Sequence, residues 1–196
     1  MTEEFLPGGR KFVTICQYPE LPTGCEVTAL AMVLRFYGLD ADKCELSDKY
    51  LDKGKIGETD FRVAFPGDPH SINGYGCYSK AIVSCAGRFL RDRDIPLNVR
   101  DISGQRLRDL FVHTAKGIPV LIWCTIDLRE GYYTRQWIIN GEKLRWYAPE
   151  HCVVLLGEVE GKSVIADPRT GGIVRWDIDL LEKRYDELMR QAVMIF

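Results

Sequence analysis

No run of about 18 apolar residues, the minimum for a membrane-crossing helix, occurs in this chain of 196 residues. Neither sign of charge is in excess: 26 Lys and Arg face 28 Asp and Glu, for a net charge of -2. That balance supplies no basic surface for a nucleic-acid backbone or an anionic membrane. Among seven cysteines, at 16, 25, 44, 77, 85, 124 and 152, there is no C-x-x-C pair. The three histidines are scattered, and with Cys77 and Cys85 as the nearest cysteine partners the ligand spacing for zinc is poor. The odd cysteine count, mostly within apolar segments such as 120–124 and 151–155, argues against a disulfide framework and for a reducing compartment. Residues 1–10 lack a basic start followed by an apolar core, so they do not read as a signal peptide. A cytoplasmic location is therefore expected, with export the alternative if a leader has been removed. No internal repeat or low-complexity tract occurs. What is present, 46% hydrophobic and 28% charged residues, is the composition of one globular domain with a sizeable core.

Residues 1–11 read as a loose arm, and Phe12 to Cys16 as a short strand. From Cys25 to Tyr37 the apolar residues Val27, Leu30, Ala31, Leu34 and Tyr37 recur at helical spacing, and Gly38 supplies a stop. A polar helix is predicted between Ser47 and Gly54. Residues 55–77 carry turn formers without periodicity, and a loop of that length in a compact domain is often functional. A helix follows with Ile82, Cys85, Ala86, Phe89 and Leu90 on one face. A strand over 97–102 then leads to Ser103, a predicted N-cap for a helix bearing Leu107, Leu110 and Phe111. After Gly117 the pattern becomes strand-like: 118–126, a hairpin of 132–139 and 143–147 around Asn140-Gly141, then 152–159, 162–167 and 173–177. A helix over 179–190 and a strand over 192–196 close the chain. Helices in the first half and strands in the second predict an α+β fold.

A nucleophilic cysteine must be a thiolate, and a helix N-terminus with a nearby imidazolium lowers the thiol pKa. Cys25 follows the loop Pro22-Thr23-Gly24 and opens the best-defined helix, so it is the candidate. Gly24, without a Cβ, would let a substrate backbone approach the sulfur. Cys16, Cys85, Cys124 and Cys152 sit among apolar neighbours and read as core. His151 begins one predicted strand and Asp167 ends the next, with only Glu160-Gly161 between them. Antiparallel pairing brings those ends together, where Asp167 could orient the ring of His151. His113 lies in a helical run and reads as structural. His70, in the turn-rich loop, could line a cleft but has no evident orienting partner.

The block Gln17-Tyr18-Pro19-Glu20-Leu21-Pro22-Thr23-Gly24-Cys25-Glu26-Val27-Thr28-Ala29-Leu30 closely resembles the C39-like peptidases of the papain-like clan. Further matches are Phe65-Pro66-Gly67-Asp68-Pro69, Gly74-Tyr75-Gly76-Cys77-Tyr78, His151-Cys152-Val153-Val154-Leu155 and Val164-Ile165-Ala166-Asp167-Pro168. The likeness runs from about residue 12 to the C-terminus, so 12–196 is expected to be the peptidase domain and 1–11 a flexible arm. The resemblance implies a papain-like cysteine proteinase fold, with an N-terminal helical lobe, a C-terminal antiparallel β lobe and the cleft between them. It implies Cys25 as nucleophile, His151 as general base, Asp167 as orienting group and Gln17 as an oxyanion donor beside the Cys25 N–H. The C-G-S-C-W surroundings of papain's cysteine are absent, so that enzyme's specificity does not carry over. Gly8-Gly9 has the look of a double-glycine cleavage site, but adjacent glycines are common in arms and self-processing is not expected. The chain reads as a peptidase domain without the transport machinery of an exporter.

The expected activity is hydrolysis of a peptide or amide bond in a peptide or protein substrate, with no metal or organic cofactor required. Two rivals use the same residues: acyl transfer or side-chain amide release, and a catalytically silent peptide-binding module. Specificity is expected in residues 55–77 and the 127–150 hairpin. Their aromatics (Phe65, Tyr75, Tyr78, Tyr132, Tyr133, Trp146, Tyr147) could line a groove or fill the core.

Overall fold

The computed structural model describes residues 2–196. Strands β1 (Glu3–Phe5) and β2 (Lys11–Val13) pair antiparallel, with Glu3 opposite Val13. Residues 3–5, within the segment read as a loose arm, thus contribute a strand. Helix α1 (Cys25–Phe36) follows, and ten of its twelve residues are buried. Helix α2 (Lys43–Glu45) runs into a wider turn over Leu46–Tyr50. This helical segment starts earlier than predicted because the Asp42 side chain accepts the Cys44 and Glu45 N–H groups, an N-cap. The turn-rich region holds only the short parallel pair β3 (Lys53–Gly54) and β4 (Phe65–Pro66) before helix α3 (Ser79–Asp92).

The second half consists of β5 (Val99–Asp101), α4 (Leu107–Thr114), β6 (Val120–Thr125), β7 (Tyr132–Ile139), β8 (Glu142–Ala148), β9 (Glu150–Val159), β10 (Lys162–Asp167), β11 (Gly172–Asp177), α5 (Ile178–Glu187) and β12 (Ala192–Ile195). Ser103 does not cap α4; Arg106 stands at that position with no side-chain cap. The Ser103 hydroxyl instead accepts the Ala192 N–H at 3.0 Å and donates to Ser79 Oγ at 3.1 Å, tying the loop to β12 and α3.

Six strands form one sheet in the order β11-β10-β9-β6-β12-β5, every pairing antiparallel. The β7–β8 hairpin does not extend it but makes a separate two-stranded sheet. Its turn has Asn140 at φ 50 and Gly141 at φ 81, the left-handed pair that suits strand twist in a two-residue loop.

The central strands read as continuous apolar runs because both faces of the sheet are covered. Leu121, Trp123, Cys152, Val154, Leu156, Val164 and Ala166 belong to the core that includes α1 and α3. The intervening Val120, Ile122, Cys124, Val153, Leu155 and Ile165 belong to a second core with Leu107, Leu110, Leu181 and Tyr185 of α4 and α5. Full burial of each such side chain contributes on the order of 1.5–3 kcal/mol. The sheet is thereby clamped between two helical layers, and the start of α1 is held against the start of β9.

Candidate active site

Cys25 is the first residue of α1 and only 6% exposed. The loop before it is closed by Leu21 N–H to Gln17 O at 2.9 Å and Gly24 N–H to Leu21 O at 3.0 Å. A Cβ on Gly24 would stand 2.8 Å from Leu21 Cβ and 3.2 Å from Pro69 Cβ. Glycine at 24 therefore serves the packing of this loop, rather than the substrate approach expected from sequence.

Gln17 is pinned from several sides. Its N–H donates to Pro168 O at 2.7 Å, its carbonyl accepts Lys43 Nζ at 3.0 Å, and its Nε2 donates to Pro22 O at 2.9 Å. One Nε2 proton is left over from that bond, and Oε1 is buried with no partner among the described residues. Lys43, which sequence reasoning passed over, also donates to Cys16 O at 2.6 Å and pairs with Glu20 at 2.7 Å. A lysine ammonium placed where three oxygens converge staples the Gln17 loop to α2.

His151 and Asp167 lie at adjoining ends of β9 and β10. His151 Nε2 and Asp167 Oδ1 are 2.7 Å apart, with each residue 2% exposed. Arg169 N–H donates to the same oxygen at 2.8 Å. Burial alone would raise the Asp167 carboxyl, but the His151 ring and the Arg169 N–H outweigh it and hold the group below the usual carboxylate value. A carboxylate accepting at Nε2 makes that nitrogen the protonated one and leaves Nδ1 for proton transfer.

Gln17, Cys25, Tyr75, Trp146, Glu150 and His151 all line one cleft of about 410 Å³. A larger cavity of about 650 Å³, between the N-terminal hairpin, α4 and the far end of β9, has neither cysteine nor histidine in its lining.

The sulfur itself departs from expectation. Cys25 Sγ donates to Glu26 Oε2 at 3.4 Å and accepts the Cys152 N–H at 3.4 Å. No hydrogen bond joins it to His151 among the described residues. Burial pushes the thiol well up, and the Glu26 and Glu150 charges push it further, against the Cys152 N–H. The depressed pKa expected from the helix start is thus reversed in this conformation, because desolvation and two carboxylates outweigh the backbone donors.

Those two carboxylates were missed in the sequence. Glu26 is the one charged residue in the first ten of α1, and Glu150 opens a strand that is apolar from Cys152 to Leu156; a charge amid burial was the available signal. Burial raises Glu26 to about 7, in spite of hydrogen bonds from its own backbone, Cys77 and the thiol. Glu150 is pushed well up by burial and then by Glu26.

The remaining candidates lie elsewhere. His70 does have a partner: its Nε2 meets Asp48 Oδ1 at 2.9 Å and its Nδ1 meets Glu20 O at 3.0 Å, joining loops outside the cleft. His113 is on α4, away from the cleft. The aromatics divide: Phe65, Tyr78 and Trp146 are buried, whereas Tyr132 and Tyr133 are exposed. Tyr75 and Trp146 face the cleft, their rings 5.5 Å apart and near-perpendicular. All seven cysteines are free thiols, and no helix among the described residues is long and apolar enough to cross a membrane.

A helix that opens on a cysteine, set against an antiparallel sheet that carries a histidine, is the α+β architecture of the papain-like proteins. The chain belongs to the Peptidase_C39 like family, whose sequence profile matches residues 10–193. It is 27% identical over 181 residues to YvpB of Bacillus subtilis (strain 168), an uncharacterized protein, covering 90% of this chain and 70% of that one. The structure is similar to that of a candidate C39-like peptidase from Bacillus anthracis, with a TM-score of 0.84, 27% identity and 94% of each chain covered. The peptidase domain of Streptococcus ComA, a bi-functional ABC transporter involved in a quorum sensing pathway, shares the fold at a TM-score of 0.54 and 15% identity, covering 94% of this chain and 96% of that one.

Proposed function

We propose that the protein is a cysteine peptidase, with Cys25 as nucleophile, His151 as general base, Asp167 as orienting group and Gln17 as oxyanion donor. The observation that carries this reading is the shared cleft: Cys25 and His151 both line it, and His151 is hydrogen-bonded to Asp167 at 2.7 Å. Family membership and the fold shared with ComA's peptidase domain point the same way.

In this mechanism the Cys25 side chain rotates from Glu26 toward the cleft and passes its proton to His151 Nδ1. The thiolate attacks the carbonyl carbon of the scissile amide. The free Nε2 proton of Gln17 and the Cys25 N–H hold the oxyanion. His151 returns the proton to the leaving amine, then removes one from the water that hydrolyses the thioester. The same acyl-enzyme could pass its acyl group to an amine, so mass spectrometry of products is needed to separate hydrolysis from transfer. Wild-type protein is expected to cleave members of a peptide library, Cys25→Ala to cleave none while melting normally, and His151→Ala to cleave none. Full turnover by Cys25→Ala would rule the mechanism out.

One observation favours a second reading, that of a silent peptide-binding module. The sulfur is turned to Glu26 and its pKa is raised. A thiol-directed probe decides between them: an active site labels Cys25 selectively with a pH profile that His151→Ala alters, and a silent one does not.

A further inference from the structure

Two carboxyl groups flank the Cys25 sulfur where a core would ordinarily hold hydrocarbon. Cys25 Sγ and carboxylate oxygens of Glu26 and Glu150 lie within 4.8 Å of one another, and all three residues are buried. The Glu26 carboxylate is engaged, one oxygen with the thiol and the other with the Cys77 N–H. Glu150 is not. It is 9% exposed, and its Oε1 is buried with no partner among the described residues. The charge that acts on it is a second carboxylate, Glu26. A buried carboxylate without a cation or a donor is costly, and two together are more so.

Gly76 closes the pocket from the other side. A Cβ there would stand 2.5 Å from Glu150 Oε2 and 2.8 Å from Glu26 Oε1. Glycine backbone thus lies against both carboxylates, with the edge of the Trp146 ring 3.1 Å from the same point.

We propose that Cys25, Glu26 and Glu150 form a three-ligand site for a borderline-soft divalent cation, of which Zn²⁺ is the type. One thiolate and two carboxylates fall within the donors of Zn²⁺, which binds thiolate sulfur, imidazole nitrogen and carboxylate oxygen and in open sites takes three protein ligands plus a water. Mg²⁺ and Ca²⁺ require more oxygen donors and no sulfur. As the ion binds, the thiol proton and the protons that burial keeps on Glu26 and Glu150 leave to solvent. The fourth position opens on the cleft, which Cys25 and Glu150 line. A bound ion occupies the sulfur electron pair that would attack substrate, so the metal-loaded protein is inhibited and a chelator restores it. That inhibition rests on the proposed role of Cys25; the binding does not.

The test uses the full chain, stripped with a chelator, dialysed and titrated with Zn²⁺ by calorimetry, with X-ray absorption on the complex. One ion per chain is expected, bound through one sulfur at about 2.3 Å and oxygens at about 2.0–2.2 Å, with no imidazole in the shell. Glu26→Gln and Glu150→Gln should each bind at least about tenfold more weakly, and His151→Gln about as well as wild type. The absorption spectrum of the wild-type complex stands even if a variant fails to fold. An imidazole in the shell, affinity lost in His151→Gln but kept in both glutamine variants, or no stoichiometric binding overturns the site. A chain that binds zinc in this way yet cleaves no peptide keeps the site and loses only the peptidase reading.

Discussion

Glu26→Gln keeps the shape of the side chain and removes one buried charge, so it isolates what that carboxylate does to the fold. Burial holds Glu26 at about 7, against about 4.3 in an unfolded chain. Between those values the folded protein holds a proton that the unfolded chain has released. The stability is therefore fully present below about pH 4 and is lost as the pH rises through about 7. For one such group the loss is about 1 kcal/mol at pH 5 and about 3–4 kcal/mol at pH 8, a difference of roughly 2–3 kcal/mol. The amide has no charge to bury, so the variant lacks this dependence. Glu150 acts in the same direction, because its own pKa is raised partly by Glu26. Urea unfolding of both proteins at pH 5 and pH 8, with a chelator present, measures the effect. On moving from pH 5 to pH 8 the variant should gain roughly 2–3 kcal/mol relative to wild type. An equal gap at both pH values would show that Glu26 is not held protonated in the folded state.

Gln17→Ala should lower kcat by about a hundred- to a thousand-fold with little change in KM, since an oxyanion donor acts on the transition state; unchanged kcat would remove Gln17 from the mechanism. Gly76→Ala should destabilise the fold by about 1–3 kcal/mol in urea, because its Cβ must displace both carboxylates. A neutral result there would mean the acidic pocket is looser than the 2.5 Å and 2.8 Å approaches imply.

Much of the architecture was legible because it is locally encoded. The spacing of Val27, Leu30, Ala31 and Leu34 defines α1, and Cys25 begins it. The short turn at Glu160-Gly161 leaves β9 and β10 no partner nearer than each other, so His151 and Asp167 meet at one end. Local rules misled where a distant element competed. Ser103 has the chemistry of a cap but bonds to β12 and α3. Gly24 has the look of a substrate-facing glycine but packs on Leu21 and Pro69. Residues 3–5 carry no strong pattern and are ordered by pairing with β2.

Periodicity and turn chemistry by themselves determined α1, α3 and the succession of strands after Gly117, the core faces of those helices and which ends of neighbouring strands adjoin. Those properties depend on hydrogen bonds and side-chain directions a few residues apart. Tertiary structure alone decided the electrostatics of the site. Glu26 comes from α1 and Glu150 from β9, and only folding strips both of water beside the same sulfur. Solvation is a property of the surroundings, and the surroundings of Cys25 exist only once α1 has docked on β9.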